Sequence, residues 1–470
     1  MPVDAPLEDG WHPARLLPTV GLRSEQEKEA RATSSLLAVV RAVPEFGRAL
    51  VGELGAPRGR IGTYTEIQLK DSAGKVHIPD GAIVAERGKS LWRCLVEVKT
   101  GTSMLTNEQV NRYVDIARLH GFDAVLTISN QITSSATESP VTVDGRKLSS
   151  RLALYHLSWW RIITEAIIQH RYRGISDPDQ AWILGELIAY LDDEHSGASG
   201  FQDMGDQWVP VRNGAANDTL RAGHANVRTV AGRWDQFVDY LCLGLGQDLG
   251  RDVRPVRPRK QTAEERLEAS VKTLATEGRL EAAVRVPDTV GPISLEANLR
   301  TRRVNTSVTI DAPRTGRPVT RINWMLRQLK DAPEDLRVEV SFANARETSV
   351  ALLADARERP DRLLSSADAK RSPRTFLLVL SRPLGTKRGK GEKSFVRDTR
   401  QQAVDFYREP VQNLRAWHAP PPKLPVEPDE AEPAAHPDPP PFSAEEREAG
   451  EGRPPPESES ETPAEKRPRL

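Results

Sequence analysis

The sequence predicts a mixed α/β fold in its N-terminal part, followed by an α+β domain and a disordered tail. Two short apolar runs at 78–84 and 91–98 flank a turn, and a helical pattern at 106–120 precedes another apolar run. Strand, turn, strand, helix and strand in this order indicate a mixed sheet with helices against its faces. From residue 279 the apolar residues alternate with polar ones, which indicates the strands of a second domain.

These patterns divide the chain of 470 residues into five parts. The predicted parts are an N-terminal arm at 1–23, a mixed α/β domain with a helical extension at 24–210, a helical connector with a basic linker at 211–278, an α+β accessory domain at 279–419, and a disordered Pro/Glu-rich tail at 420–470.

Charge and composition set limits on the protein class. The formal net charge is zero, but residues 420–470 carry −7 and the remaining body +7. The tail holds 15 of the 36 prolines and one aromatic residue, so it cannot bury a core. Cys94 and Cys242 are the only cysteines, too few for a disulfide framework or a zinc site, so any metal must be bound by oxygen atoms.

No stretch approaches 18 uninterrupted apolar residues, and the N-terminus lacks the charged and apolar regions of a signal peptide. We therefore expect a cytoplasmic protein without a membrane partner. The sequence does not indicate an oligomeric state.

Around the central strands, the pattern predicts a helix at 24–54 and a strand at 61–70 with Glu66 at its centre. An Asp144-Gly145 turn between 141–143 and 151–157 predicts a hairpin. Further helices are expected at 159–172 and 178–192, then across most of 216–277. In the accessory domain we expect strands at 281–286, 293–299, 304–310, 336–342 and 375–380, and helices at 322–329 and 397–417.

Three side chains in the central strands suggest chemistry. Glu97 and Lys99 are two residues apart, so on a strand they point to the same face, while Val96 and Val98 face a core. If the two runs pair, Asp80 lies beside Glu97. Two carboxylates in one small volume repel each other unless a cation lies between them. This arrangement suits Mg²⁺ or Mn²⁺ and the hydrolysis of a phosphodiester.

Pro79-Asp80 followed by Glu97-Val98-Lys99 resembles the signature of the PD-(D/E)XK nuclease superfamily, whose core is a restriction-endonuclease-like mixed sheet with flanking helices. Gln109-x-x-x-Tyr113 resembles the QxxxY element of the RecB-type branch. The resemblance covers roughly the first 160 residues. It implies that Asp80, Glu97 and the Val98 carbonyl bind the metal and that Lys99 assists the attacking water.

The family also implies a supporting acidic residue upstream. Glu66 is the first candidate and Glu29 the second, and an exposed strand glutamate is the alternative for Glu66. Gln109 either contacts nucleic acid or closes the helix as the partner of Thr106 in a capping box. Tyr113 is either a core aromatic or a nucleic-acid contact.

Two basic segments could contact phosphates. Lys387, Arg388 and Lys390 lie in a glycine-rich run that suits sequence-independent phosphate contact, although a solubilising loop explains the same residues. The second segment, 251–260, carries five basic residues and is interpreted as a linker. Together these features predict a metal-dependent nuclease acting on nucleic acid, with DNA as the first expectation. The alternative is a non-catalytic nucleic-acid or protein-binding module that keeps the nuclease fold.

Overall fold

In the computed structural model, the described residues are 15–19, 21–133, 135–148, 151–198, 200–201, 203–258, 260–387 and 393–419. The predicted tail at 420–470 and most of the predicted arm at 1–23 lie outside them. Within these ranges, none of the helices combines the length and the apolar character needed to cross a bilayer.

Helices and strands are numbered in chain order. The helices are α1 Glu25–Ala42, α2 Pro44–Gly52, α3 Asn107–Leu119, α4 Trp159–Ile168, α5 Pro178–Asp192, α6 Trp208–Ala216, α7 Ala225–Leu249, α8 Ala263–Glu277, α9 Pro318–Gln328, α10 Leu353–Glu358 and α11 Phe395–Arg408. A π-helical turn, Gln169–Arg173, continues α4, and short 3₁₀ turns lie at Glu194–Ser196, Pro360–Leu363 and Val411–Asn413. The strands are β1 Arg60–Thr65, β2 Leu69–Lys70, β3 Val76–His77, β4 Gly81–Arg87, β5 Ser90–Val98, β6 Ala124–Ser129, β7 Ala153–Ser158, β8 Arg254–Pro255, β9 Arg279–Arg285, β10 Ile293–Asn298, β11 Arg303–Asp311, β12 Arg337–Phe342, β13 Thr348–Leu352 and β14 Pro373–Pro383.

The first sheet is mixed, as the sequence predicts. Its order is β1-β4-β5-β6-β7, with antiparallel pairing from β1 to β5 and parallel pairing from β5 to β7. The two central runs pair with Gly81 opposite Val96, which brings the start of β4 beside the end of β5. Val96 and Val98 are fully buried in the core formed with α1, α4 and α5.

The second sheet has seven antiparallel strands in the order β13-β12-β14-β11-β10-β9-β8. The helices of the connector share a core with this sheet. Phe395 of α11 stacks at 4.3 Å from Trp208 of α6, and Trp234 of α7 donates its indole N–H to the carbonyl of Glu281 on β9 at 3.0 Å. Connector and accessory strands therefore stabilise one common core.

Four sequence-based expectations about elements are wrong. The helix expected at 397–417 ends at Arg408, because Pro410 lacks an amide hydrogen and cannot continue it. The helix expected at 24–54 is two helices, because Pro44 lacks an amide hydrogen and starts α2 instead of continuing α1. The strand expected at 61–70 ends at Thr65. Glu66 follows with φ +52° in an exposed bend, a backbone conformation that a strand interior does not contain.

The hairpin expected around Asp144-Gly145 is also absent from the described residues of this stretch. The amides of Thr142 and Asp144 donate to the side chains of Asn107 and Asn111 on α3 instead of to a strand partner. The downstream run forms β7, which pairs in parallel with β6 at the edge of the first sheet.

Candidate functional site

The site lies where β4 begins and β5 ends. The amide of Val98 donates to Oδ2 of Asp80 at 2.7 Å, which fixes the aspartate against the neighbouring strand. Glu97 lies near the end of β5 and Lys99 directly follows the strand, with Lys99 Nζ 3.0 Å from Oε1 of Glu97. Asp80 lies close enough for its charge to raise the pKa of the Glu97 carboxyl. The structure thus brings together the three side chains singled out in the sequence.

A third carboxylate completes the cluster from helix α1. Oε1 of Glu29 accepts a hydrogen bond from Lys99 Nζ at 2.8 Å, and the same ammonium donates to the Val98 carbonyl at 2.9 Å. Glu29, the second candidate, therefore occupies the supporting position for which Glu66 was the first candidate. A signal for Glu29 exists in the sequence: it lies on the stripe that continues with buried Ala32 and Leu36, where a charged residue is unexpected.

Gln109 and Tyr113 flank the cluster from α3. The amide of Gln109 donates to the Thr106 hydroxyl at 3.2 Å, while its side-chain Nε2 donates to Oε1 of Glu97. The helix is therefore capped by Thr106, and the glutamine side chain is directed to the carboxylate. Tyr113 is 9 % exposed and packs in the small core between α3 and the sheet.

The end of β5 is fixed by contacts that the sequence did not indicate. Trp159 at the start of α4 donates its indole N–H to the Lys99 carbonyl at 2.9 Å. Gly101 has φ +57°, and a Cβ at this position would lie 1.8 Å from Oε2 of Glu25. Its amide donates to the Gly197 carbonyl at 2.8 Å, so no larger residue fits this turn without displacing its neighbours.

The electrostatics follow from three carboxylates sharing one ammonium group. Burial, and then the charge of Asp80, raise the pKa of Glu97 to about 8, and burial also raises the pKa values of Asp80 and Glu29. For Lys99, burial acts to lower the pKa, but the charges and hydrogen bonds of Glu97 and Glu29 outweigh it and raise the pKa. The cluster therefore has an excess of negative charge that a proton or a metal ion can neutralise.

The fit to a divalent cation rests on one orphaned atom. Glu97 is only 2 % exposed, and its Oε2 is buried without a hydrogen-bond partner among the described residues. No group of three or more His, Cys, Asp and Glu side chains in the described ranges is arranged as a metal cage. Mg²⁺ does not require one, because it is commonly held by one or two carboxylates together with water and substrate phosphate. Asp80, Glu97 and the Val98 carbonyl are consistent with such a site.

The remaining candidates lie elsewhere. Glu66 is exposed, and only its backbone contact to the Asp80 carbonyl, at 3.3 Å, links it to the site. Lys387 lies beyond β14 on the second sheet, with its amide bonded to the carbonyl of Lys393. Arg388 and Lys390 lie outside the described residues.

The basic segment at 251–260 also has a structural role. Arg257 is half-buried and forms ion pairs with Asp239 and Asp235 of α7, with N–O distances of 2.9 Å to each. At least one of the five basic residues of this segment therefore stabilises the packing of the protein and is not free to bind a phosphate.

No protein-family model matches the sequence, and neither does any curated protein sequence.

Proposed function

We propose that this chain is a metal-dependent nuclease that hydrolyses phosphodiester bonds of nucleic acid, with DNA as the first substrate to test. The observation that carries the proposal is the partly buried cluster of Asp80, Glu97, Lys99 and Glu29, in which carboxylates outnumber ammonium groups three to one. Such a charge imbalance is costly in a structural core and is frequent at functional sites.

Each residue has a role that its contacts support. Asp80 and Glu97 would hold Mg²⁺ or Mn²⁺ together with the Val98 carbonyl, and the bound ion would supply Lewis-acid stabilisation of the charge that develops on the phosphate. Lys99 presents a cation beside that position and can orient a water molecule. Glu29 holds Lys99 Nζ in place, and Gln109 fixes the rotamer of Glu97.

A non-catalytic binding module is the second candidate. The observation in its favour is that Lys99 Nζ is already engaged by Glu29, Glu97 and the Val98 carbonyl. A lysine held in this way could act as a structural ion-pair partner, and the fold would then bind nucleic acid or protein without cutting.

A cleavage assay separates these two functions. Single- and double-stranded DNA and RNA are incubated with the protein and Mg²⁺ or Mn²⁺, beside Lys99→Ala and a control, Lys89→Ala, at an exposed lysine in the β4–β5 turn. We expect metal-dependent cleavage by the wild type and the control, and a loss of about a hundredfold or more in Lys99→Ala. Cleavage that survives in Lys99→Ala would contradict the assigned role.

A further inference from the structure

A second feature of the molecule is an open cleft between α7, α11 and the π-helical turn at Gln169–Arg173. Its volume is about 770 Å³, within the range of roughly 300–1,000 Å³ that is usual for ligand sites. Its lining contains four arginines against one aspartate, namely Arg171, Arg397, Arg400, Arg408 and Asp248. The cleft is therefore cationic and suited to an anion.

Three of the arginines in the cleft come from α11. Arg397, Arg400 and Arg408 line the cleft at spacings of three and eight residues, which places them on one side of the helix. Asp398, Asp405 and Glu409 line a separate depression on another side. Arg408 also forms an ion pair with Asp405 at 3.3 Å, so part of its charge is neutralised on the helix itself.

Two of the arginines are available to a ligand. The guanidinium groups of Arg171 and Arg397 are exposed and form no salt bridge or hydrogen bond with the described part of the chain. Arg400 is near Asp248 at 3.5 Å, yet its Nε is buried without a hydrogen-bond partner among the described residues. An anion in the cleft would pair with the guanidinium groups of Arg171 and Arg397, which the described part of the protein leaves unused.

Aromatic rings interleave with the arginines. Tyr172 is 48 % exposed, but its ring is held in place, since its hydroxyl donates to the Asp248 carbonyl at 2.8 Å. A Cβ at Gly250 would lie 2.4 Å from that ring, so the glycine allows the close approach. Tyr240 and Tyr407, both half-buried, complete the aromatic part of the lining. Fixed rings beside arginines form a platform on which unpaired bases stack while phosphates bind the cations.

The cleft is connected to the candidate site through two adjacent tryptophans. Trp159 binds the Lys99 carbonyl, and the ring of Trp160 lies 5.0 Å from that of Tyr240 in the cleft wall. Gly197, whose carbonyl binds Gly101, is four residues from Phe201 of the lining, which is at most about 14 Å of chain. These contacts join the wall of the cleft to the turn that follows β5.

From these observations we propose that the cleft binds a single-stranded segment of nucleic acid next to the phosphodiester site. The inference rests on the proposed function for the identity of the ligand. Single-stranded rather than duplex nucleic acid fits because the bases of a duplex already stack on each other and cannot reach recessed rings.

The test measures binding without cleavage. Fluorescence anisotropy of a labelled 12-nucleotide single strand, a length within the roughly 4–16 nucleotides of known single-strand sites, is followed in EDTA with the full chain. The variants are the pair Arg171→Ala and Arg397→Ala combined, and a matched control, Arg346→Ala with Arg374→Ala, which removes two exposed arginines outside the cleft lining. Because the substituted side chains are exposed, unchanged melting temperatures are expected.

We expect the cleft variant to weaken binding about tenfold or more, with the control near wild type. Its plot of log affinity against log salt should be shallower by about 1.4, since each lost phosphate contact on a single strand contributes about 0.7. Tyr172→Leu should weaken binding, whereas Tyr172→Phe keeps the ring and should retain most of the affinity. Equal losses in the cleft and control variants, an unchanged affinity of Tyr172→Leu, or tighter binding of a duplex of the same length would overturn the proposal.

The two proposals fail in different ways. If the nuclease function is wrong, no strand is cut with Mg²⁺, but binding in EDTA still depends on Arg171 and Arg397. If the cleft is wrong, the cleft variant binds and cuts like the wild type.

Discussion

At the scale of single residues, the charge imbalance around Lys99 is the property from which the candidate chemistry follows. Asp80, Glu97 and Glu29 converge on one ammonium, and Oε2 of Glu97 has no hydrogen-bond partner among the described residues. The residue types were visible in the sequence, because Asp80, Glu97 and Lys99 occupy a short, strand-compatible spacing. The sequence carries a signal for Glu29, its place on the buried stripe of α1, but it does not show that α1 packs over the end of β5, so it did not decide between Glu29 and Glu66.

Neutral substitutions of the two metal candidates test this arrangement. Asp80→Asn and Glu97→Gln keep the shape of the side chains but remove charge, so each should lower Mg²⁺ affinity by about tenfold or more. In EDTA the same variants should melt at an equal or slightly higher temperature, because repulsion between carboxylates is relieved. Isothermal titration and thermal melts measure both effects.

The control for these variants is Glu108→Gln, an exposed carboxylate on α3 that pairs only with Arg112 among the described residues. It should leave Mg²⁺ affinity unchanged. If Asp80→Asn and Glu97→Gln also bind Mg²⁺ like the wild type, the metal site is elsewhere.

His156 gives a residue-scale prediction about pH. It is fully buried on β7, with its ring between the Thr127 hydroxyl and the Gln131 carbonyl, and burial lowers its pKa to about 4. In the unfolded chain the pKa is about 6.5, so between pH 6.5 and pH 4 only the unfolded state binds the proton. The stabilisation is complete above pH 6.5 and is lost as the pH falls towards 4.

At pH 5 this group alone should lower the free energy of unfolding by about 2 kcal/mol relative to pH 7. Urea denaturation at the two pH values measures the difference in the wild type and in His156→Asn. The variant should show a pH effect smaller by about that amount. An identical pH effect in both proteins would show that His156 does not titrate in this way.

At the scale of elements, the turn after β5 fixes the end of this strand against helix α1. Gly101 adopts a left-handed conformation and lies against Glu25 of α1. The sequence showed a glycine that ends the strand, but not the helix packed over it. The absent hairpin near Asp144-Gly145 has a similar explanation, because Asn107 and Asn111 offer the backbone of 142–144 competing hydrogen bonds that no local pattern reveals.

Gly101→Ala should destabilise the protein in two ways, through backbone strain at positive φ and through a collision with Glu25. Substitution of a second glycine separates these two effects. Gly88 in the β4–β5 turn has nearly the same φ, +59°, but nothing lies within 4 Å of a Cβ placed there. Gly88→Ala should therefore cost about 1 kcal/mol from backbone strain alone, and Gly101→Ala about 2–3 kcal/mol because a collision with Glu25 is added. Chemical denaturation of the two variants measures the difference, and equal costs would show that Glu25 moves aside freely.

At the scale of the whole molecule, the sequence predicts most strands of the second sheet but not which helices pack on it. The five strands predicted for the accessory domain lie close to observed strands, because the alternation of apolar and polar residues on β9, β10 and β11 reports burial of one face. The short strand β13 was not predicted. The sequence did not predict that this sheet and the connector helices share one core. Contacts such as that of Trp208 with Phe395 join residues almost two hundred positions apart, and periodicity carries no information on such pairs.

The central claim is that the Asp80–Glu97–Lys99 cluster cuts phosphodiester bonds with the help of a divalent cation. The most direct measurement forms the complex of protein and labelled nucleic acid in Ca²⁺ and then exchanges Ca²⁺ for Mg²⁺ or Mn²⁺. Ca²⁺ accepts longer and less regular oxygen coordination, so it should support binding without cleavage, whereas Mg²⁺ should start product formation. Lys99→Ala should bind in Ca²⁺ nearly as the wild type does and yield little product after the exchange. Equal binding in all three metals with no cut strand on any single- or double-stranded substrate would contradict the claim and favour the binding module.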